Sequence, residues 1–206
     1  MFKRILSALF IGLILTMTLT TYSSARQAQQ VREDVLRLHV LANSDSEADQ
    51  ALKLKVRDGV LDKARALFSE AGDRDAAYAI AARNTAALQQ AALQIIAEEG
   101  YDYPVVVTVG EQFFPTKAYE GGIRLPAGYY DAVRIEIGAA EGKNWWCVLF
   151  PSLCFVDTVH GVVPEESKEL LKNVLTEEEY ESLFTPGKSE YKVRWKAAEI
   201  WQSLFG

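Results

Sequence analysis

The chain holds two cysteines, Cys147 and Cys154, and two histidines, His39 and His160. A Cys147 thiolate could act as a nucleophile only beside a base that lowers its pKa, and His39 or His160 are the imidazoles on offer. Against that chemistry stands the setting of Cys147. Asn144-Trp145-Trp146-Cys147-Val148-Leu149-Phe150 is too apolar for a water-facing edge and predicts a core strand, where a thiol is simply buried or half of a disulfide. A bridge to Cys154 depends on geometry. Along one straight strand the sulfurs would lie roughly 23 Å apart on opposite faces. A chain reversal near Phe150-Pro151 would instead bring them within disulfide range, and so short a loop would contribute about 2.5 kcal/mol. Both geometries stay open at the level of sequence.

Other chemistry finds little material. GxSxG, HExxH, CxxC and P-loop patterns are absent, and two histidines are scant for a metal centre. Asp131, Glu136 and Asp157 carry no acid/base spacing. Asn43, Asp45 and Asp49 lack the ligand rhythm of a calcium loop and read as helix capping. No metal and no cofactor is expected, and the chain is read as a non-enzyme whose one candidate catalytic site is Cys147 with His39 or His160.

The elements that would position these residues fall into two blocks. Leu36-Arg37-Leu38-His39-Val40 alternates with period two, predicting a strand within residues 31–42, with the aliphatic side chains inward and Arg37 and His39 outward. Ser44 and Glu47 fit a capping box opening a helix whose stripe runs Leu52, Val56, Val60, Ala64 and Leu67. After Gly72-Asp73 a second helix is predicted over about 74–99, completing an antiparallel hairpin, with Asn84 as a satisfied core amide. From Gly100 the pattern is β: a strand at 103–109, an irregular aromatic continuation Phe113-Phe114-Pro115-Thr116-Lys117-Ala118-Tyr119, then Val133-Arg134-Ile135-Glu136-Ile137 and the Trp-Trp-Cys strand. Trp145 and Trp146, being adjacent, must point to opposite faces, which weakens a glycan-platform reading. Helices follow Pro164 and Thr176, and a last one carries Val193, Ala197, Ile200 and Leu204. The expected class is α+β: an N-terminal strand and helical hairpin packed on an antiparallel meander, with C-terminal helices.

The first residues set the compartment. Phe2-Lys3-Arg4 is a basic leader, Ile5 to Leu19 an apolar run, and Ser23-Ser24-Ala25 a small-residue site. These are the parts of a signal peptide spanning residues 1–25, with an uncleaved membrane anchor as the alternative. Residues 26–206 then form one exported domain, touching membrane only through the N-terminal segment. Without Lys3 and Arg4 it carries 20 basic and 28 acidic residues, a net charge of −8. That balance disfavours nucleic acid and anionic lipid surfaces alike.

Arg37-Leu38-His39-Val40-Leu41-Ala42-Asn43-Ser44-Asp45-Ser46, followed by Asp49-Gln50-Ala51-Leu52-Lys53 and Lys55-Val56-Arg57-Asp58, closely resembles the stage II sporulation protein R family of endospore-forming bacteria. Phe113 to Lys117, Pro126-Ala127-Gly128 and Asn144 to Pro151 with Cys154-Phe155 agree in the same order. The resemblance implies a signalling protein made in the forespore and exported to the space between forespore and mother cell. There it would switch on a membrane-embedded aspartic protease, from the extracytoplasmic side, to process pro-sigma-E. No catalytic residue is carried over. The partner contact is expected around Phe113, Phe114, Lys117 and Tyr119, read as an aromatic loop. The reading from another class is a thiol-dependent cell-wall hydrolase or transpeptidase using Cys147.

Overall fold

A computed structural model describes residues 2–69, 71–119, 123–151 and 165–183. A helix α1 (Phe2–Asp34) leads into strand β1 (Leu36–Leu41), helices α2 (Glu47–Phe68), α3 (Arg74–Arg83) and α4 (Thr85–Glu98), and strand β2 (Val105–Phe114). A two-stranded ribbon, β3 (Lys117–Ala118) with β4 (Arg124–Leu125), precedes β5 (Gly128–Ile137) and β6 (Asn144–Phe150), and α5 (Glu165–Val174) and α6 (Glu177–Leu183) follow. The class is α+β, as the pattern of elements predicts.

The strand order corrects the meander. The main sheet runs β2-β5-β1-β6. β1 pairs parallel with β5 and antiparallel with β6, so the N-terminal strand is inserted between two strands that a meander would have made neighbours. The reason is burial. Leu36, Leu38 and Val40 lie on one face and Arg37 on the other, all with no solvent exposure. A strand of that kind needs cover on both faces and ladder partners on both edges, which an edge position denies it.

One sheet face carries Leu38, Val40, Val107, Val133, Ile135, Ile137, Cys147 and Leu149, packed in one cluster with Val56, Val60 and Ala64 of α2 and Leu88, Ala92 and Ile96 of α4. The helices approach closely where Gly59 faces Ile95; a Cβ there would sit 2.8 Å from Ile95 Cγ1. The predicted single second helix is two helices. Asn84 breaks it by donating its side-chain Nδ2 to the Ile80 carbonyl at 2.8 Å, the local competition with the backbone that makes Asn a poor helix interior. The start of α2 is also shifted: its cap is Ser46, whose hydroxyl accepts from the Asp49 amide at 3.1 Å, and not Ser44.

At the N-terminus α1 runs on through residues 26–34 up to β1. Residues 26–34 are mostly good helix formers, Gln29 Nε2 donates to Glu33 Oε1 at 2.8 Å, and Val31 and Val35 are fully buried in a second cluster with Phe114, Ile123, Leu125, Tyr130, Val148 and Leu171. Phe2–Leu19 of this helix is long and apolar enough to cross a membrane. A signal sequence has the same character, so the segment is compatible with export.

Candidate functional site

The second sheet face departs most from a hydrocarbon core. Arg37 is 0% exposed. Its Nε donates to the Cys147 carbonyl at 3.0 Å and its Nη2 to the Tyr119 hydroxyl at 3.2 Å. Its guanidinium carbon sits 4.3 Å from the Phe114 ring centre and 5.0 Å from that of Tyr130. Nη1 has no hydrogen-bond partner among the described residues. Arg37 was expected to face water; it is instead a buried cation held by aromatic faces and dipoles, an arrangement that a planar, weakly hydrated guanidinium tolerates better than an ammonium. Burial raises the pKa of both phenols, that of Tyr130 to about 12, so they remain protonated beside the cation. The Tyr130 hydroxyl donates to the Pro126 carbonyl at 2.6 Å.

His39, two residues along β1, lies on the same face. Its Nδ1 is 3.0 Å from Gln112 Oε1 and its Nε2 2.7 Å from Asn144 Oδ1, with the Phe114 and Trp146 rings each 5.9 Å away. Partial burial lowers its pKa below the usual imidazole value, and Arg134 acts in the same direction; the two amides and Glu136 oppose them. Each ring nitrogen has a side-chain amide oxygen within hydrogen-bond distance.

Cys147 is placed elsewhere. It pairs with Leu38 across the β1–β6 ladder while His39 pairs with Trp146, so alternation sends the Cys147 side chain to the helix-covered face and His39 to the other. The sheet keeps these two candidate catalytic residues apart. Cys147 is moreover disulfide-bonded. Cys154, the chain's other cysteine, and His160 lie outside the described residues.

Asn43, Ser44, Asp45 and Asp49 form a latch. The Asp49 carboxylate accepts from the Ser44 hydroxyl at 2.5 Å and from Asn43 Nδ2 at 2.9 Å, and these bonds, Ser44's first, hold its pKa below the usual carboxylate range. Asn43 Oδ1 accepts from the Ala139 amide at 2.9 Å and Asp45 Oδ1 from the Lys143 amide at 2.7 Å. Lys53 Nζ closes the set, donating to the Lys143 carbonyl at 2.9 Å and to Gln50 Oε1 at 2.7 Å; burial lowers its pKa. The cluster ties the loop after β1 to the β5–β6 connection. Its oxygens are spent on protein donors, and no metal-holding group of His, Cys, Asp and Glu occurs among the described residues.

The expected aromatic contact loop divides. Phe114 is core and Tyr119 is tied to Arg37, because β2 continues straight through Phe114 and the ribbon then folds back over Arg37. Lys117 is half-buried in that ribbon. Phe113 alone of the four is an exposed aromatic, at 59%, in edge-to-face contact with Tyr129, itself 62% exposed, at 5.5 Å. Tyr129 went unnoticed in sequence. Its signal was the Tyr129-Tyr130 pair in an alternating strand, which must send one ring inward and one outward.

The family model described as Stage II sporulation protein R matches residues 32–160. A curated relative, Stage II sporulation protein R of Bacillus subtilis (strain 168), is 34% identical over 179 residues, covering 82% of this chain and 80% of the relative. No solved structure matches the chain.

Proposed function

The chain belongs to the stage II sporulation protein R family, and on that premise we propose that it is an exported sporulation signal that switches on a membrane-embedded aspartic protease, which then processes pro-sigma-E. The observation that carries this reading is the family match across most of the folded domain. The apolar α1 segment, suited to export, supports delivery to the space between forespore and mother cell. Activation by a ligand of this kind requires tighter binding to the active state of the protease than to the inactive one, since only differential affinity shifts such an equilibrium. The chain then contributes a surface and the protease contributes the chemistry.

The test is reconstitution. The full-length chain, the protease and pro-sigma-E are produced together in a non-sporulating host and sigma cleavage is followed by immunoblot. Cleavage should appear with the exported chain and vanish when residues 2–25 are deleted and the chain stays in the cytoplasm. Equal cleavage in the absence of the chain would refute the activator role.

A further inference from the structure

The exposed Phe113–Tyr129 pair does not stand alone. It borders a cleft of about 390 Å³ whose walls include Arg32 and Glu33 of α1, Arg74 of α3, and Glu111 and Asp131 of β2 and β5. We propose that this cleft and its aromatic rim form the surface by which the chain grips a basic, apolar-anchored extracytoplasmic segment of its membrane-embedded partner; the inference rests on the activator role proposed above.

Charge argues for the first property of the occupant. Arg74 is already engaged, 2.8 Å from Asp131 and 3.0 Å from Asp75, and it donates to the Glu33 carbonyl at 2.6 Å. Neutralising Arg74 with Asp131 leaves Arg32 against the carboxylates of Glu33 and Glu111, a negative surplus inside a domain that is itself acidic. A Lys or Arg of the partner would find the Glu111 carboxylate, the Glu33 carboxylate with one oxygen already accepting from Gln29, and the face of an exposed ring. The rim argues for the second property. Two touching aromatic rings, each more than half exposed, offer the large rigid area typical of residues that dominate binding energy.

Position argues for a protein occupant over lipid. α1 is continuous from Phe2 to Asp34. At about 1.5 Å per residue, the helix rises roughly 15 Å from Leu19 to Gln29, the first cleft residue, and about 21 Å to Glu33. The headgroup layer occupies only about 5–7 Å on each side of the hydrocarbon. In the anchored form the cleft therefore stands beyond the lipid, at the height of loops that project from a membrane protein. An acidic domain is also repelled by anionic headgroups. Removal of the leader after Ala25 would leave every wall of the cleft in place, since all its residues lie from Gln29 onward.

The same reconstitution reads the surface directly. The full-length chain with Phe113→Asp and Tyr129→Asp, and a second variant with Glu33→Lys and Glu111→Lys, are compared with Leu54→Asp and Leu93→Asp, which place charge on exposed apolar sites of α2 and α4. Sigma cleavage should fall about tenfold or more in the first two, the scale of losing a binding hot spot, and stay within about twofold in the last two. All variants should be exported equally and melt with the unsubstituted chain. A photoreactive phenylalanine analogue at position 129 should give an adduct with the protease. Full cleavage by the Phe113→Asp, Tyr129→Asp variant overturns the surface, and adducts only to lipid or to a second copy of the chain overturn the occupant. If the unsubstituted chain itself triggers no cleavage, the activator role fails first and the surface assignment with it.

Discussion

On one face of the sheet, Leu38, Val107, Ile135 and Leu149 meet the aliphatic stripes of α2 and α4; on the other, Arg37 lies against Phe114 and Tyr130 while His39 sits between Gln112 and Asn144. The two faces belong to the same four strands, yet they use different physics. The first gains from removing hydrocarbon from water. The second buries an apolar cluster too, and within it spends burial on the Arg37 cation, whose desolvation is offset by ring faces and two hydrogen bonds, so that the cation's own net contribution is small for the volume it fills. The second face carries polar groups within its apolar cluster, and the aromatic tip beyond the helices is exposed.

Leu38→Ala and Arg37→Met are adjacent substitutions on opposite faces and give the largest expected contrast. The first should cost about 2–5 kcal/mol in urea unfolding. The second keeps the side-chain volume and removes the buried charge, and should cost less than about 1.5 kcal/mol. Equal losses would show that the guanidinium stabilises as much as the hydrocarbon core and would erase the distinction between the faces.

The latch ties the loop after β1 to the β5–β6 connection, and Gly138→Ala tests it. Gly138 has φ of 59° and a Cβ there would overlap the Asn43 amide; left-handed backbone with a side chain costs about 1–2 kcal/mol before that overlap. A total of about 2–3 kcal/mol is expected by thermal unfolding, whereas Gly110→Ala, where a Cβ meets open space, should cost under about 1 kcal/mol.

Titration sharpens the comparison further. The folded pKa of His39 lies below its unfolded value of 6.5, so between those two values the unfolded chain binds more protons and stability rises with pH. The contribution is complete above about pH 6.5 and is lost as pH falls through the folded pKa. Replacing His39 with Gln should flatten that part of the stability profile measured by urea unfolding between pH 7.5 and 5. Asp49 acts lower: its folded pKa lies below 3.8, so its contribution is present above that value and disappears as acid protonates the folded carboxylate. Asp49→Asn should leave the slope near neutral pH intact and reduce the slope below pH 4.

The smallest effect on stability is expected at the aromatic tip. Phe113→Ser and Tyr129→Ser alter exposed side chains and should each change stability by about 0.5 kcal/mol or less. A larger loss would mark the pair as structural and remove it from the open surface.

Much of this was legible in the chain. The α2 stripe, the β-branched run of β2, the alternation of β5 and the placement of Trp145 and Trp146 on opposite faces each depend on spacing within one element, and spacing survives folding. The opening motif of β1 with the Asn43-Ser44-Asp45-Ser46 loop carried the family resemblance. Less legible were the site residues. Arg37 looked solvated because alternation says which residues share a face and not whether that face is covered. Phe114 and Tyr119 looked like a contact loop because nothing local tells an aromatic that packs on a buried guanidinium from one that waits for a partner.

Sequence by itself determined most of the local elements, the apolar N-terminal segment, the acidic balance and the family, since each follows from residue type and near-neighbour spacing. Tertiary structure alone decided that β1 lies between β5 and β6, that Cys147 and His39 face apart, and that Phe113 meets Tyr129 at the mouth of a charged cleft. Those outcomes depend on contacts between residues tens of positions apart. They are selected by the requirement that both faces and both edges of the most buried strand be satisfied at once, a condition of the assembled sheet that no single segment encodes.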